Sequence, residues 1–224
     1  MAIQVQGNSG AIADVDGTSF RALRTAARPL DTGALGHFRY GGFTGILPAA
    51  LAANSEIFQF RWADPTRLCV VRKIRVSAAV STTMFAAGVP VQLDLVKATA
   101  WSVAGSGGTN ANVGANLRKR TSMSISLVVS NDMRIATTAA LGAGTKTLEG
   151  LSLSALVAAG PITGSLDGTI IDVGTVLWES EVGDGEHPLI LTTNEGFVVR
   201  SVAVPATGTW MVAFTVDWAE IATY

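Results

Sequence analysis

Apolar and polar side chains alternate along much of this chain, and this period of two restricts the fold more than any other feature of the sequence. The alternation is sharpest in residues 209–219, where every second position is a large apolar residue: Trp210, Val212, Phe214, Val216 and Trp218. Successive side chains of a β-strand point to opposite faces of a sheet. The pattern therefore predicts an antiparallel strand with one face in a hydrophobic core.

A second alternating segment covers residues 68–78. The residues on its predicted apolar face are Leu68, Val70, Ile74, Val76 and Ala78. Arg72 is the exception on that face, since it places a charge among apolar neighbours. The single cysteine, Cys69, lies in the same segment, which predicts a buried thiol that forms no intrachain disulfide.

Further strand-like segments follow one another with turn residues between them. With the two segments above, the predicted strands are 56–62, 68–78, 91–100, 122–129, 175–181, 188–192, 196–204 and 209–219. Residues 136–160 are compatible with a short helix or another hairpin. Because no helices recur at βαβ spacing, residues 56–224 are predicted to form an all-β domain, an antiparallel β-sandwich of the jelly-roll kind.

Residues 1–55 have a different character, because glycine or proline recurs every few positions. This spacing excludes long regular elements and predicts an extended, Gly-rich N-terminal arm with one or two strands. Residues 1–10 contain neither a basic segment nor a long apolar one, and no stretch of the chain is apolar enough to cross a membrane. We therefore expect a soluble protein made in a cytoplasm.

The charges are few and unevenly distributed. Charged residues make up 15% of the chain, against about 25% in average globular domains, while 48% of the residues are hydrophobic. The first 148 residues hold 15 of the 16 basic residues and seven of the 17 acidic ones. Either strands from the two halves pair their charges in one sandwich, or a basic face of one subunit meets an acidic face of the next.

Motifs for catalysis and for metal or cofactor binding are not found in the sequence. There is no G-x-S-x-G run, and His37 and His187 are isolated histidines in turn-rich surroundings. Asp184–His187 is interpreted as a solvated hairpin tip, and the glycines at 105–108 lack the G-K-[ST] of a phosphate loop. Arg118–Arg120 is weak evidence for a nucleic-acid contact. We expect no catalytic residue, no metal, no cofactor and no nucleic-acid partner.

The segment 104–117 and its neighbour Trp101 leave one further possibility open. The segment is too long for a tight hairpin and is predicted to be either a mobile surface loop or an ordered contact loop. Trp101 is the one tryptophan whose position beside this loop predicts exposure. An exposed aromatic side chain there is compatible with a carbohydrate site.

Both ends of the chain resemble a known class of proteins. The segments that carry the resemblance are Met1–Gly10, Asp184–Leu189, Thr193–Arg200, Pro205–Trp210 and Val216–Glu220, with the strand around residues 61–75. They are similar to small virion structural proteins of tailed bacteriophages. The resemblance implies a jelly-roll-like protein that decorates or cements the capsid exterior, commonly as a trimer. It transfers no catalytic residue.

The function expected from these features is a non-enzymatic virion protein that forms a homo-oligomer, most commonly a trimer. Its partner in the virion would be the major capsid protein, whose neighbouring subunits it would clamp through its arm and loops. Two alternatives stay open: a tail or fibre component with loop 104–117 near a receptor, and a carbohydrate-binding jelly-roll module.

Overall fold

The computed structural model describes residues 15–16, 22–23, 36–85, 90–111, 117–119, 124–159, 170–180, 187–203 and 206–222. The chain divides into two compact units, Met1–Asp31 and Thr32–Tyr224. In the first unit the described residues form an antiparallel pair of short strands, β1 (Val15–Asp16) and β2 (Ala22–Leu23). Within the described part of the chain, no helix is long and apolar enough to span a membrane.

The second unit contains the remaining strands. In chain order they are β3 (His37–Phe43), β4 (Leu47–Pro48), β5 (Ser55–Trp62), β6 (Leu68–Val80), β7 (Pro90–Val103), β8 (Thr109–Asn110), β9 (Met133–Ile135), β10 (Thr145–Leu148), β11 (Ser154–Ala159), β12 (Ile170–Glu179), β13 (Leu189–Leu191), β14 (Glu195–Ala203) and β15 (Thr209–Ile221). One turn of 3-10 helix, Ser130–Asp132, precedes β9.

These strands form two antiparallel sheets that pack face to face. Counted over the described residues, the wide sheet has seven strands in the order β10-β7-β14-β5-β9-β8, with β11 also paired to β7. The narrow sheet has six, in the order β12-β6-β15-β3, with β13 on β6 and β4 on β15. The chain crosses between sheets from β5 to β6, from β6 to β7 and from β14 to β15, and its last two strands insert between earlier ones. This is jelly-roll topology, so the predicted all-β antiparallel sandwich is confirmed.

Aromatic side chains from both sheets fill the centre of the core. Phe58 of the wide sheet stacks on Phe214 of the narrow sheet with 4.9 Å between ring centroids. Phe60 and Phe197, both in the wide sheet, stack at 5.1 Å, and Phe60 meets the edge of Trp218 at 5.4 Å. Offset stacked and edge-on geometries are the favourable ones for aromatic pairs. These contacts hold the two sheets in register with each other.

The buried face of β6 is not the one that the sequence predicts along its whole length. The difference arises at Arg72. Lys73 lies opposite Asp217 but Val71 lies opposite Trp218, so β6 carries one extra residue at this point. The β-bulge reverses the alternation, and the core therefore receives Cys69 and Val71 before the bulge and the even-numbered residues after it. Cys69 is buried as predicted, and burial raises the pKa of its thiol well above the ordinary value.

Residues 37–48, which belong to the arm predicted from the sequence, form part of the sandwich. β3 pairs with β15 along seven residues and β4 extends the same edge, so the described end of the arm is an edge of the narrow sheet. Phe38 and Tyr40 of β3 are buried. Gly41 and Gly42 follow directly and conceal the alternation, because they add no side chain to either face. Of the rest of the predicted arm, the structure describes β1, β2, Gly36 and residues 49–55, the last of which begins β5.

Two other expectations are settled by the structure. Residues 136–160 contain no helix in their described part, and their strands β10 and β11 both pair with β7 and not with each other, so the described residues form neither the short helix nor a hairpin of their own. The predicted strand 122–129 is wrong for the residues described, because 124–129 belong to neither sheet. A side chain of β15, discussed below, holds this segment instead of a strand partner.

Phe214 and Thr215 test the register of β15. Phe214 is 1% exposed and stacked on Phe58, whereas Thr215 is partly exposed on the opposite face. We expect Phe214→Ala to lower the free energy of unfolding by about 3 to 5 kcal/mol, because it removes buried apolar surface and leaves a cavity. Thr215→Ala should cost less than about 1 kcal/mol. Urea unfolding measures both, and equal losses would contradict this register.

Candidate interaction surface

The largest apolar side chains on the described surface are not spread evenly. Three of them occur at alternating positions in one extended segment, Ile125 at 58% exposure, Leu127 at 42% and Val129 at 57%. We call these three residues the apolar ridge. The other large exposed apolar residues are Phe43, Ile46, Val103, Leu151, Val157 and Val176. Isolated exposed apolar residues are common on proteins, but a contiguous row is a feature of interaction sites.

The residues between those of the ridge point the other way. Ser126 and Val128 are 8% and 4% exposed, and Val128 joins the hydrophobic core. The segment therefore alternates like a strand although its described residues pair with neither sheet. Its backbone is fixed locally by Ser126, whose Oγ accepts a hydrogen bond of 3.1 Å from the Val128 amide.

The side chain of Glu220 on β15 holds this segment in place through hydrogen bonds. The Ser126 hydroxyl donates to Glu220 Oε1 at 2.6 Å, and the Leu127 amide donates to Oε2 at 3.0 Å. The Trp218 indole N–H donates to Oε1 at 3.1 Å. Glu220 is 1% exposed, so the carboxylate exchanges water for these donors. The ridge is thus held by charge-assisted hydrogen bonds on a sheet residue.

Burial raises the pKa of Glu220, and this effect exceeds the lowering by the hydrogen bonds from Ser126, Leu127 and Trp218. The negative charge of Asp64 raises it further. The sequence contains a signal for this anchor, because Glu220 shares the phase of Phe214 and Trp218. A carboxylate in phase with a core stripe must find donors inside the protein.

The uneven distribution of charge along the chain is explained by pairing within the sandwich. Basic residues from the first 148 positions contact acidic residues from the remainder in these pairs: Arg39 and Lys119 with Asp217, Lys73 with Glu179, and Lys97 with Glu149 and Glu195. The jelly-roll order places strands from the two halves side by side, which brings these charges together. The described part of the chain therefore supports the interpretation that the two halves interleave and pair their charges.

Asp217 is the centre of the best-formed of these pairs. Arg39 Nε donates to it at 2.9 Å and Lys119 Nζ lies 2.5 Å from it. Burial alone would raise the pKa of Asp217, but the hydrogen bonds and charges of Arg39 and Lys119 together outweigh burial and lower it. The charge of Lys119, one of the basic residues 118–120, is therefore paired with Asp217 within the sandwich.

A second set of polar side chains is buried on the outer face of the wide sheet. Lys146 Nζ lies 2.8 Å from Glu56 Oε2, and the Gln59 amide nitrogen donates to the same oxygen at 2.5 Å. Lys146 also donates to the Ala143 carbonyl. We call Glu56, Gln59 and Lys146 the buried network. Lys146 is 2% exposed at its side chain, so its charge is shielded from water.

The position of Trp101 corrects the expectation of an exposed aromatic residue. Trp101 is 1% exposed, and the Lys146 ammonium lies 4.5 Å from its ring centroid. The face of the ring is therefore occupied by a cation of the same chain. Trp101 does not offer the surface that a carbohydrate site beside loop 104–117 would need.

The described part of loop 104–117 is an ordered contact on its own domain. Gly108 has a φ of +58°, and a Cβ there would meet the Ile135 carbonyl oxygen at 2.2 Å. Arg134 donates from Nε to the Gly107 carbonyl at 3.0 Å, and Ser106 bridges to Gly142. The glycines of this loop therefore serve close packing against β9, and residues 112–116 lie outside the described part.

The other residues noted in the sequence are dispersed in the structure. His37 lies on β3, and burial together with the nearby charges of Lys119 and Arg72 lowers its pKa. His187 is exposed beside Pro188, and Asp184–Glu186 and Arg120 lie outside the described residues. Among the residues described, no three His, Cys, Asp or Glu side chains are grouped as metal ligands.

Comparison of the chain with protein families, with curated proteins and with solved structures finds no match. The function must therefore be inferred from burial, contacts and charge. On those grounds the apolar ridge is the surface that most needs a partner, since the charged side chains discussed above are paired within the chain.

The buried carboxylate of Glu220 predicts a particular dependence of stability on pH. Because its pKa is raised above the ordinary 4.5, the native state takes up a proton at a higher pH than the unfolded chain does. The ionised group therefore opposes folding near neutral pH, and this opposition fades as the pH falls toward that ordinary value. Relative to Glu220→Gln, the wild-type protein should gain stability as the pH is lowered.

Urea unfolding at a series of pH values between about 7 and 5 measures this difference. The matched control is Glu149→Gln, which makes the same exchange at a side chain that is 42% exposed. A wild-type protein that loses stability relative to Glu220→Gln on acidification would contradict the assigned direction of the pKa shift.

Proposed function

We propose that this chain is a non-enzymatic structural protein of a tailed-phage virion, which decorates or cements the capsid exterior as a homo-oligomer. A trimer is the expected state, and the major capsid protein is the expected partner. The observation that carries the proposal is the apolar ridge: three large apolar side chains that point outward from a segment fixed to the sandwich by Glu220.

The way the ridge is held supports a role in assembly. Val128 in the core and Ser126 on Glu220 fix the backbone before any partner arrives. A surface that is already ordered loses little conformational entropy on binding, which favours affinity. The ridge residues are therefore apolar, exposed and already fixed in position. A partner that covers them would explain this combination.

The composition of the chain is consistent with the same role. A charged fraction of 15% is low, and the pairs on Asp217, Glu179, Glu149 and Glu195 use part of that charge inside the chain. Little charge is then left to keep copies of the protein apart. Jelly rolls are also frequent among capsid proteins, and the resemblance of both chain ends to tailed-phage virion proteins agrees with this placement.

The oligomeric state and the ridge can be tested together. We expect light scattering after size exclusion, at micromolar concentration, to give a multiple of the 23.1 kDa chain mass. Leu127→Asp should shift the protein toward the monomer, because a charge in an apolar contact must be desolvated without a partner. The matched control is Leu151→Asp, which makes the same change at a residue that is 84% exposed and outside the ridge.

Attachment to the virion is a separate measurement. Purified protein should cosediment with coat shells that lack it, and Leu127→Asp should reduce that binding more than Leu151→Asp does. A wild-type protein that is monomeric and binds no shells would contradict the proposal. Binding to tails but not to shells would favour a tail or fibre component instead.

A further inference from the structure

The buried network places an amine, a carboxylate and a primary amide around one oxygen atom. Glu56 Oε2 lies 2.8 Å from Lys146 Nζ and 2.5 Å from Gln59 Nε2. All three side chains are nearly inaccessible: Lys146 is 2% exposed and Glu56 8% at the side chain, and Gln59 is 1% exposed overall. A simple surface ion pair needs neither this degree of burial nor a third group.

Two β-bulges bring these residues together. Glu56 and Gln59 are three positions apart and would point to opposite faces of a regular strand. The register of β14 on β5 shifts between Val199 and Arg200, which inserts one residue into β5 and turns Glu56 to the face of Gln59. The register of β10 on β7 shifts between Thr145 and Thr147, where two steps along β10 stand against four along β7, so the second bulge lies in β7 and Lys146 lies opposite it. Bulges often reorient a side chain at a functional site.

The amide of Gln59 is held only by its nitrogen end. Its Nε2 donates to Glu56 and, at 3.1 Å, to the Gly142 carbonyl. Its Oε1 is buried and has no hydrogen-bond partner among the described residues. A buried amide with a purely structural role normally satisfies both ends, so this arrangement calls for another explanation.

The surroundings favour a nucleophilic amine. Burial lowers the pKa of Lys146, and this lowering exceeds the opposing effects of the hydrogen bond and charge of Glu56. A larger fraction of the amine is therefore uncharged than on an exposed lysine, and an uncharged amine is the form that attacks a carbonyl carbon. Because Lys146, Glu56 and Gln59 are almost inaccessible to solvent, little water competes for the same carbon.

We propose that Lys146 and Gln59 are the reactants of a self-catalysed intramolecular amide cross-link, with Glu56 as the general acid and base. Lys146 Nζ forms a bond to Gln59 Cδ, and the Cδ–Nε2 bond breaks. Glu56 accepts a proton from Nζ and delivers a proton to the departing nitrogen, which leaves as ammonia. No oxidant and no further reactant is needed. The product is one amide bond that joins β5 to β10 on the outer face of the wide sheet.

The position of Glu56 suits this transfer, because one carboxylate oxygen contacts both the attacking and the leaving nitrogen. A base within hydrogen-bond distance of both atoms can move the proton without diffusion. The cross-link would covalently fasten the segment that covers the wide sheet, and it is independent of the assembly proposed above. Its consequence would be resistance of that segment to local unfolding.

Mass spectrometry of the folded, full-length protein tests the proposal directly. The intact mass should be lower than the mass of the same polypeptide without the bond by that of one ammonia molecule. Proteolysis should release a branched peptide in which Lys146 is joined to Gln59. A succinimide at an asparagine loses the same mass but gives no branched peptide, so the two measurements together are specific.

Two lysine variants provide the matched comparison. Lys146→Arg keeps a cation beside Glu56 and Trp101 but removes the nucleophile, so we expect complete loss of both the mass difference and the branched peptide. Lys97→Arg changes another partly buried lysine of the wide sheet, paired with Glu149 and Glu195, and should keep both. Glu56→Gln should slow or abolish formation of the bond.

The proposal is overturned if wild-type protein, folded and stored at neutral pH, has the full polypeptide mass and yields no branched peptide. The buried network is then an ion pair with an amide neighbour and nothing more. A mass difference that persists in Lys146→Arg would likewise contradict it, because the ammonia would then come from another residue. Wild-type protein alone decides the question even if a variant does not fold.

Discussion

Packing of aromatic side chains between the two sheets is the interaction on which the rest of this structure depends. Phe58, Phe60 and Phe197 of the wide sheet meet Phe214 and Trp218 of the narrow sheet in stacked and edge-on contacts. A strand that slipped by one residue would turn these rings to the outside. The core therefore fixes the register, and the register decides which residues must lie on the outer faces and edges.

The outer positions that result are used in two ways. Some carry charges that pair across the halves of the chain, as Asp217 does with Arg39 and Lys119. Others are covered by the chain itself, as Glu56 and Gln59 are covered by the segment with Lys146. The ridge of 125, 127 and 129 lies outside both sheets, and its apolar side chains face solvent. The proposal that the protein acts in an assembly depends on these exposed apolar side chains.

The sequence was sufficient to predict the parts of the fold where the alternation is undisturbed. β15 was predicted with its buried face because Trp210–Trp218 alternate without a break. β3 was missed, since Gly41 and Gly42 conceal the alternation that begins with Phe38 and Tyr40. Arg72 was recognised as an exception, but a charge out of phase does not by itself reveal that a bulge reverses the faces beyond it.

The sites were harder to predict than the strands, for a physical reason. Glu56 and Lys146 are ninety positions apart in the sequence, and β-bulges bring them together. No local sequence pattern encodes such a contact. Trp101 was expected to be exposed because its loop is polar, yet Lys146 covers its ring. Glu220 could have been identified, since a carboxylate in phase with the Trp218 side of a strand must be buried with donors.

Electron cryomicroscopy of shells carrying the bound protein would show which face of the sandwich makes contact with its neighbours. We expect a second copy of the chain or a coat subunit to cover residues 125–129, with the ridge inside the contact. Density that leaves the ridge in solvent, with the protein attached through another face, would contradict it.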